Sequence, residues 1–231
     1  MGGLRLSKSD WKLSAGLHHK VDKFGPSEKM LYRQVGKRLF DIGLSLAVLL
    51  GFSWLYGLVA LVVWLETPRA PVIFRQRRVG KDGVPFTIYK FRSMRCGAET
   101  EISELRPLNE KSGPVFKMHD DPRVTRVGRL LRKTSLDELP QFVNVLRGDM
   151  SVVGPRPALP CEVEEYTEYQ RLRLREKPGL TCYWQVQPNR DAVPFDEWVG
   201  LDLLYLQTCS FRVDCKLIVK TIAVTITAQG S

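Results

Sequence analysis

The chain has 231 residues, 44% of them hydrophobic, which suffices for one medium-sized core. Its 35 Lys and Arg outnumber 25 Asp and Glu, and the formal charge of +10 predicts anionic partners: phosphates, acidic lipid headgroups or nucleic acid. The cysteines, at positions 96, 161, 182, 209 and 215, form no Cys-x-x-Cys pair and share no zinc spacing with His18, His19 or His119, so a zinc site and a His-based triad are set aside and a reduced, cytosol-facing domain is expected.

Residues 1–28 mix Ser, Lys, Gly and Pro26 with few apolar side chains, the pattern of a mobile basic tail that can lie on anionic membrane lipid. From Ile42 to Leu65 no residue is charged. As one helix this run would reach about 36 Å, against a hydrocarbon core of about 30 Å. It starts too late in the chain for a secretory signal. Lys29, Arg33, Lys37 and Arg38 precede it, and Arg69, Arg75, Arg77 and Arg78 follow it. Cytoplasmic flanks collect such cations, so a helix that dips in, breaks and returns to the same face satisfies both clusters, whereas a straight span strands one of them outside. Gly51, Ser53 and Gly57 supply the weak points for a bend. The expected division is therefore 1–28 tail, 29–69 re-entrant helix with its flanks, and 70–231 cytosolic catalytic domain with amphipathic C-terminal helices.

Beyond the apolar segment, the runs Val72–Arg78 and Val84–Arg92 flank Gly80-Lys81-Asp82-Gly83 and predict a hairpin. In its second strand Ile88, Lys90 and Arg92 share one face, so two cations point the same way. Residues 98–111 predict a short polar helix or loop. Arg123, Arg126, Arg129, Arg132 and Lys133 form a basic stretch that a solvated face would also explain. From Glu162 to Lys177 acidic residues give way to basic ones, matching the dipole of a single helix stopped by Pro178-Gly179. Trp198 to Ala228 is amphipathic and suits a membrane surface or a core equally.

Two segments carry groups suited to chemistry. Ser135-Leu136-Asp137-Glu138-Leu139-Pro140-Gln141 places two adjacent carboxylates where a helix begins. Ser135 and Glu138 have capping-box spacing, a purely structural reading, yet Pro140 sits awkwardly in a helix that starts at Ser135. The spacing leaves both open. A carboxylate held ionised beside free amides can attack phosphorus and form an acyl phosphate, while its neighbour helps hold a divalent cation. Further on, Pro155 and Pro157 bracket Arg156 and present its guanidinium from a stiff loop, in a form suited to phosphate oxygens. A rigid connector with an exposed arginine is the plainer reading of the same residues.

Taken in order, these segments resemble the bacterial sugar transferase family, the monotopic phosphoglycosyl transferases. The match runs from Lys37-Arg38 with Asp41, through Phe74-Arg75-Gln76, Tyr89 to Met94, Ser135 to Gln141, Gly148 to Ser151, Gly154 to Pro157 and Lys177 to Thr181, to Leu201-Asp202 and the stretch from Asp214 to Thr221. The resemblance implies a helix-rich α/β (α+β) cytosolic domain carrying one N-terminal re-entrant membrane helix, on the cytoplasmic face of a bacterial inner membrane. It implies an enzyme with Asp137 as nucleophile toward a UDP-sugar, Glu138 assisting with Mg2+, and Lys90 as a further catalytic group. Arg156, Pro155, Pro157, Arg92, Gln141 and Asp149 are the implied substrate-binding set, with Asp137 and Glu138 at the metal. Polyprenyl (undecaprenyl) phosphate is the implied acceptor, and whether the chain forms a homo-oligomer is left open. Two segments depart from the family pattern: Ser53-Trp54 stands where Ser-Pro is usual, and Cys182 to Arg190 lacks the usual Gly and exchanges Arg and Asn. The rival reading is a membrane-anchored basic module for acidic lipid or nucleic acid. No interleaved aromatic and basic motif supports nucleic acid.

Overall fold

A computed structural model describes residues 31–187 and 190–226. The expected tail at 1–28, Lys29, and Pro188-Asn189 lie outside the described residues. A wide helical turn at Tyr32–Gly36 leads into α1 (Lys37–Gly51), which is followed by α2 (Ser53–Glu66). Phe52 alone leaves helical geometry (φ −106°, ψ 17°), and the two apolar helices bend by 63° across it. The break falls between Gly51 and Ser53, so no proline is needed, and Trp54 is accommodated as an exposed residue in the first turn of α2. Among the described residues no single helix is long and apolar enough to cross a membrane, and only the bent pair together has the length and composition.

The polar residues at the start of α1 dock it to the domain. Asp214, fully buried, accepts hydrogen bonds from Lys37 Nζ (2.8 Å), Tyr32 Oη (2.6 Å) and Tyr205 Oη (2.8 Å). Asp41 accepts from Ser151 Oγ at 3.0 Å and the Val152 amide at 2.9 Å. Arg38 donates to the carbonyls of Val145 and Leu146, oxygens that a helix end leaves unpaired. The α2 end is fixed as well: Val59 and Val63 pack with Phe91 and Leu131, and Glu66 accepts from the Val127 amide at 3.0 Å.

The expected hairpin forms as β1 (Ile73–Val79) and β2 (Pro85–Phe91), antiparallel with Phe74 opposite Lys90. Its turn uses positive φ at Asp82 (55°) and Gly83 (80°). A short polar turn follows at Ile102–Leu105, then α3 (Arg126–Lys133), capped by Thr125 accepting from the Gly128 amide at 2.9 Å. The basic stretch is only partly a solvated face, because Arg123 is buried in a two-pronged pair with Asp121 (2.9 and 2.7 Å). Next comes α4 (Gln141–Arg147), closed by Gly148 at φ 89°.

A second, parallel pair joins β3 (Ser151–Val153) to β4 (Gly179–Thr181). The backbones cross so closely that a Cβ on Gly179 would lie 2.1 Å from the Gly154 nitrogen, which explains glycine at both positions. The single helix expected over Glu162–Lys177 is instead three short pieces, at Pro160–Glu164, Glu168–Arg171 and Leu172–Arg175. Thr167 and Gln170 form a reciprocal capping box that restarts the chain after buried Tyr166, a local signal stronger than the charge gradient. The chain ends in α5 (Phe195–Thr208) and α6 (Phe211–Ile226). Helix α5 belongs to the core, with Trp198 stacked 4.0 Å from Trp184 and Val199 and Tyr205 fully buried. Helix α6 is divided: Asp214 and Leu217 face inward, while Phe211, Val219 and Ile222 are exposed. The described residues thus form a helix-rich α+β domain with a bent apolar helix pair at its N-terminal side.

Candidate active site

Ser135 does not cap a helix. It takes up the left-handed conformation (φ 53°, ψ 18°), and the chain makes one tight turn over Leu136–Glu138 before Pro140 opens α4. The capping-box alternative therefore falls, and the difficulty with Pro140 disappears because no helical hydrogen bond is asked of it. A non-glycine residue at positive φ stores strain of about 1–3 kcal/mol, which the surrounding packing must overcome. What the turn achieves is to point two consecutive carboxylates in different directions.

Asp137 points inward and is 7% exposed. Burial pushes its carboxyl up to about 6; the Lys90 charge opposes this, the Glu138 charge adds to it, and Arg132 again opposes it. Glu138 points into a shallow cleft and meets Lys90 Nζ at 2.6 Å. Burial acts to raise the Glu138 carboxyl, but the charge and hydrogen bond of Lys90, with help from Arg156 and Arg190, outweigh it and hold the group below its ordinary value. The two neighbours are therefore driven apart, one an easily exchanged carboxyl near neutrality and the other a fixed anion. Separation of this kind is the usual mark of paired carboxylates with different jobs.

The cleft beside them is lined by Arg78, Ile88, Lys90, Glu138, Gln141, Arg156, Pro157, Gly179, Leu180 and Gln185. The β2 alternation delivers Ile88 and Lys90 to it, as the sequence predicts. The loop Gly154–Pro157 delivers Arg156, and its carbonyls are held by buried arginines: Arg173 Nη2 donates to the Arg156 oxygen at 3.3 Å, and Arg78 Nη1 to the Pro157 oxygen at 3.0 Å. Arg173 is itself paired with buried Asp202 and bonded to Tyr166 Oη at 3.0 Å. Pro155 is buried beneath the loop and accepts from the Gly179 amide at 2.8 Å.

Three of the expected residues stand at different distances from this centre. Gln141 lines the cleft, 2% exposed. Arg92 shares the Lys90 strand face, but its Nε donates to the Pro71 carbonyl at 2.8 Å and its guanidinium lies over Phe74, facing a separate hollow of about 500 Å³. Asp149 sits at the end of α4, where it accepts from Asn144 Nδ2 at 3.3 Å, away from the cleft lining. Arg78 and Gln185 were not expected, and Arg190, which the sequence left with no role beyond a possible substrate contact, adds its charge to those that lower the Glu138 carboxyl. Arg78 precedes the hairpin turn among three similar arginines, and only the register of β1 selects it. Asn189, in the departing segment, lies outside the described residues.

The family described as bacterial sugar transferase matches residues 32–228, most of the chain and every element just described. The chain belongs to the bacterial sugar transferase family. Among similar family members, a galactosyl transferase, CpsE, of Streptococcus agalactiae is 44% identical over 85% of this chain and 43% of its own length. The exopolysaccharide production protein ExoY of Sinorhizobium fredii is 37% identical over 90% of this chain and 94% of its own. A UDP-glucose:undecaprenyl-phosphate glucose-1-phosphate transferase of Escherichia coli is 40% identical over 80% of this chain and 39% of its own. This sugar transferase chain thus spans less than half of two of those relatives and nearly all of the third.

Proposed function

We propose that the chain transfers a sugar-1-phosphate, of hexose or N-acetylhexosamine type, from a UDP-sugar to polyprenyl (undecaprenyl) phosphate through a covalent intermediate on Asp137. The carrying observation is the pair itself: a buried carboxyl near 6 next in sequence to Glu138, whose ion pair with Lys90 lines a cleft rich in cations. At pH 7 Asp137 is largely ionised yet poorly solvated, the condition that favours nucleophilic attack. One of its oxygens attacks the sugar-proximal phosphorus, the bond to the bridging oxygen breaks, and UMP leaves with the electron pair. A phosphate oxygen of the lipid acceptor then attacks the same phosphorus, and the Asp137 carboxylate is released. Lys90 and Arg156 hold the phosphate charge in both steps. The family and the substrates named for its relatives support this reading, and we assign the reaction to the first membrane step of exopolysaccharide, capsule or glycan assembly.

The donor set fits Mg2+. Mg2+ commonly takes one or two carboxylates and completes its shell with substrate phosphates and water. Lys90 occupies one Glu138 oxygen, leaving the other carboxylate oxygen and Asp137 as ligands. When bound, the ion would shield the diphosphate and draw charge from the attacked phosphorus.

The bent helix pair supports a re-entrant, monotopic attachment to the bacterial inner membrane. Its first residues bind Asp214 and the α4 end while its last turn binds the α3 start, so both ends meet one domain. Its outward side chains, including Leu46, Leu50, Trp54, Leu58 and Leu61, suit hydrocarbon. That arrangement leaves the domain on the cytoplasmic face, against anionic lipid. A nucleic-acid role has no support in the cleft, which holds the Glu138 carboxylate as well as cations.

The test is direct. Purified protein with Mg2+ and a UDP-sugar should release UMP and gain the mass of a sugar phosphate, and Asp137→Asn should give neither. Turnover by that variant, or turnover without any modified enzyme under rapid quench, would overturn the covalent route.

A further inference from the structure

Two groups on the cleft wall have no defined task in the chemistry so far: Arg78, and Gln141, which the family resemblance implies binds substrate without saying which part of it. Gln141 lines the cleft at 2% exposure, and its Nε2 has no hydrogen-bond partner. A buried donor without an acceptor is destabilising, so a group that supplies the acceptor would relieve it. Arg78, 9% exposed, lines the same cleft. Its Nε and Nη2 donate to Gln76 Oε1 at 3.0 and 2.6 Å, and its Nη1 donates to the Pro157 carbonyl. Those bonds use three of five guanidinium hydrogens and leave one on each terminal nitrogen. Burial and the charge of Arg156 pull the Arg78 guanidinium down to about 10, so it remains a cation at neutral pH while repelled by its neighbour. Arg78, Arg156 and Lys90 thus face one cleft whose own lining supplies a single carboxylate, Glu138. Such a surplus suits a polyanion.

We infer that Arg78 and the Gln141 amide form the seat for the nucleotide-side phosphate of the UDP-sugar, the group that departs in UMP. The inference rests on the transferase reading and assigns the leaving group its place. Glu138 and Lys90 line the cleft whereas Asp137 does not, so the phosphorus that Asp137 attacks lies at the Glu138 edge. The second phosphate, one bridging oxygen further on, falls toward Arg78 and Gln141. As the bond to the bridging oxygen breaks, its electron pair becomes negative charge on the nucleotide phosphate, facing the Arg78 guanidinium. The later attack by polyprenyl phosphate involves no UMP and makes no demand on this seat.

The experiment uses the full chain in nanodiscs, with UMP and uridine as probes by calorimetry and with the two half-reactions timed separately. Gln141→Met keeps nearly the same volume and removes the amide. It should raise the melting temperature, since an unpaired buried donor is gone, and weaken UMP binding by about tenfold, the value of one hydrogen bond to a charged group. Uridine binding should not change. Adduct formation should slow, while transfer from adduct accumulated at high UDP-sugar should keep the parent's rate. Arg78→Lys, which retains charge but loses the fork, should weaken UMP in the same direction. Unchanged UMP affinity in both variants would overturn the proposal, and so would equal slowing of both half-reactions, the result expected if these side chains only hold Arg156 in place. If the parent itself never forms an adduct yet UMP binding still depends on Gln141, the covalent reading fails and the phosphate seat stands.

Discussion

At Asp137 burial and charge pull in opposite directions, and the balance has consequences that a pH series can read. Its carboxyl, at about 6 in the folded protein, lies above the ordinary value of 3.8. The unfolded chain therefore releases this proton more easily, and the stabilisation from the protonated form, complete below pH 4, is lost as pH rises through 6. Asp137→Asn removes the ionisation penalty. The variant should gain thermal stability over the parent progressively between pH 4 and 6, reaching about 3 kcal/mol at most, and keep the gain above pH 6. Activity should move the opposite way. Adduct formation in the parent should be level above about pH 6.5 and fall roughly tenfold per unit below pH 6, as the nucleophile is protonated. A stopped-flow profile flat down to pH 5 would remove Asp137 from the attacking role. The family resemblance gave Asp137 and Glu138 different roles, but nothing in their adjacent positions gave a physical reason for the difference. The left-handed turn at Ser135 and the Lys90 contact make them different.

Among the elements, the hairpin and the bent helix follow from local rules. Alternation sets the Lys90 face, and the Gly80–Gly83 stretch sets the turn. Gly51 and Ser53 mark the break at Phe52. The segment after residue 160 does not follow its charge gradient, because the Thr167–Gln170 box and the burial of Tyr166 and Arg173 decide its pieces. The charges before the apolar segment serve a second purpose that sequence counting could not reveal. Lys37 and Arg38 are not only flanking cations: the domain consumes them, one at Asp214 and the other at the end of α4. Asp214→Ala would leave Lys37 buried without its counter-ion and the Tyr32 hydroxyl without its acceptor, while the Tyr205 hydroxyl keeps only the Val153 carbonyl at 3.1 Å. It should cost about 3–5 kcal/mol in denaturant unfolding and loosen α1 from the domain, so that proteolysis within α1 accelerates. A loss below 1 kcal/mol would show that this docking contributes little.

For the whole molecule, both ends of the helix pair meeting one domain is a stronger argument for a returning segment than the charge balance alone. A cysteine introduced in the N-terminal tail, Ser7→Cys, should resist an impermeant thiol reagent in whole cells and react after lysis. Labelling in intact cells would mean that the segment spans. The cleft belongs to the same scale, since it draws residues from β1, β2, the 135–141 turn, the Gly154–Pro157 loop and β4. No window of sequence contains it.

The sequence by itself determined the local features: the hairpin and its cationic face, the bend site, the carboxylate pair, the proline-bracketed arginine and, through their order, the family. These depend on residues a few positions apart, where backbone preference and periodicity act directly. Only the tertiary structure decided which carboxylate is buried, which of several arginines reaches the cleft, that Arg92 and Asp149 stand aside, and that Gln141 presents an unpaired amide. Those outcomes depend on desolvation and charge contributed by residues distant in sequence, and these forces act only once the chain has folded.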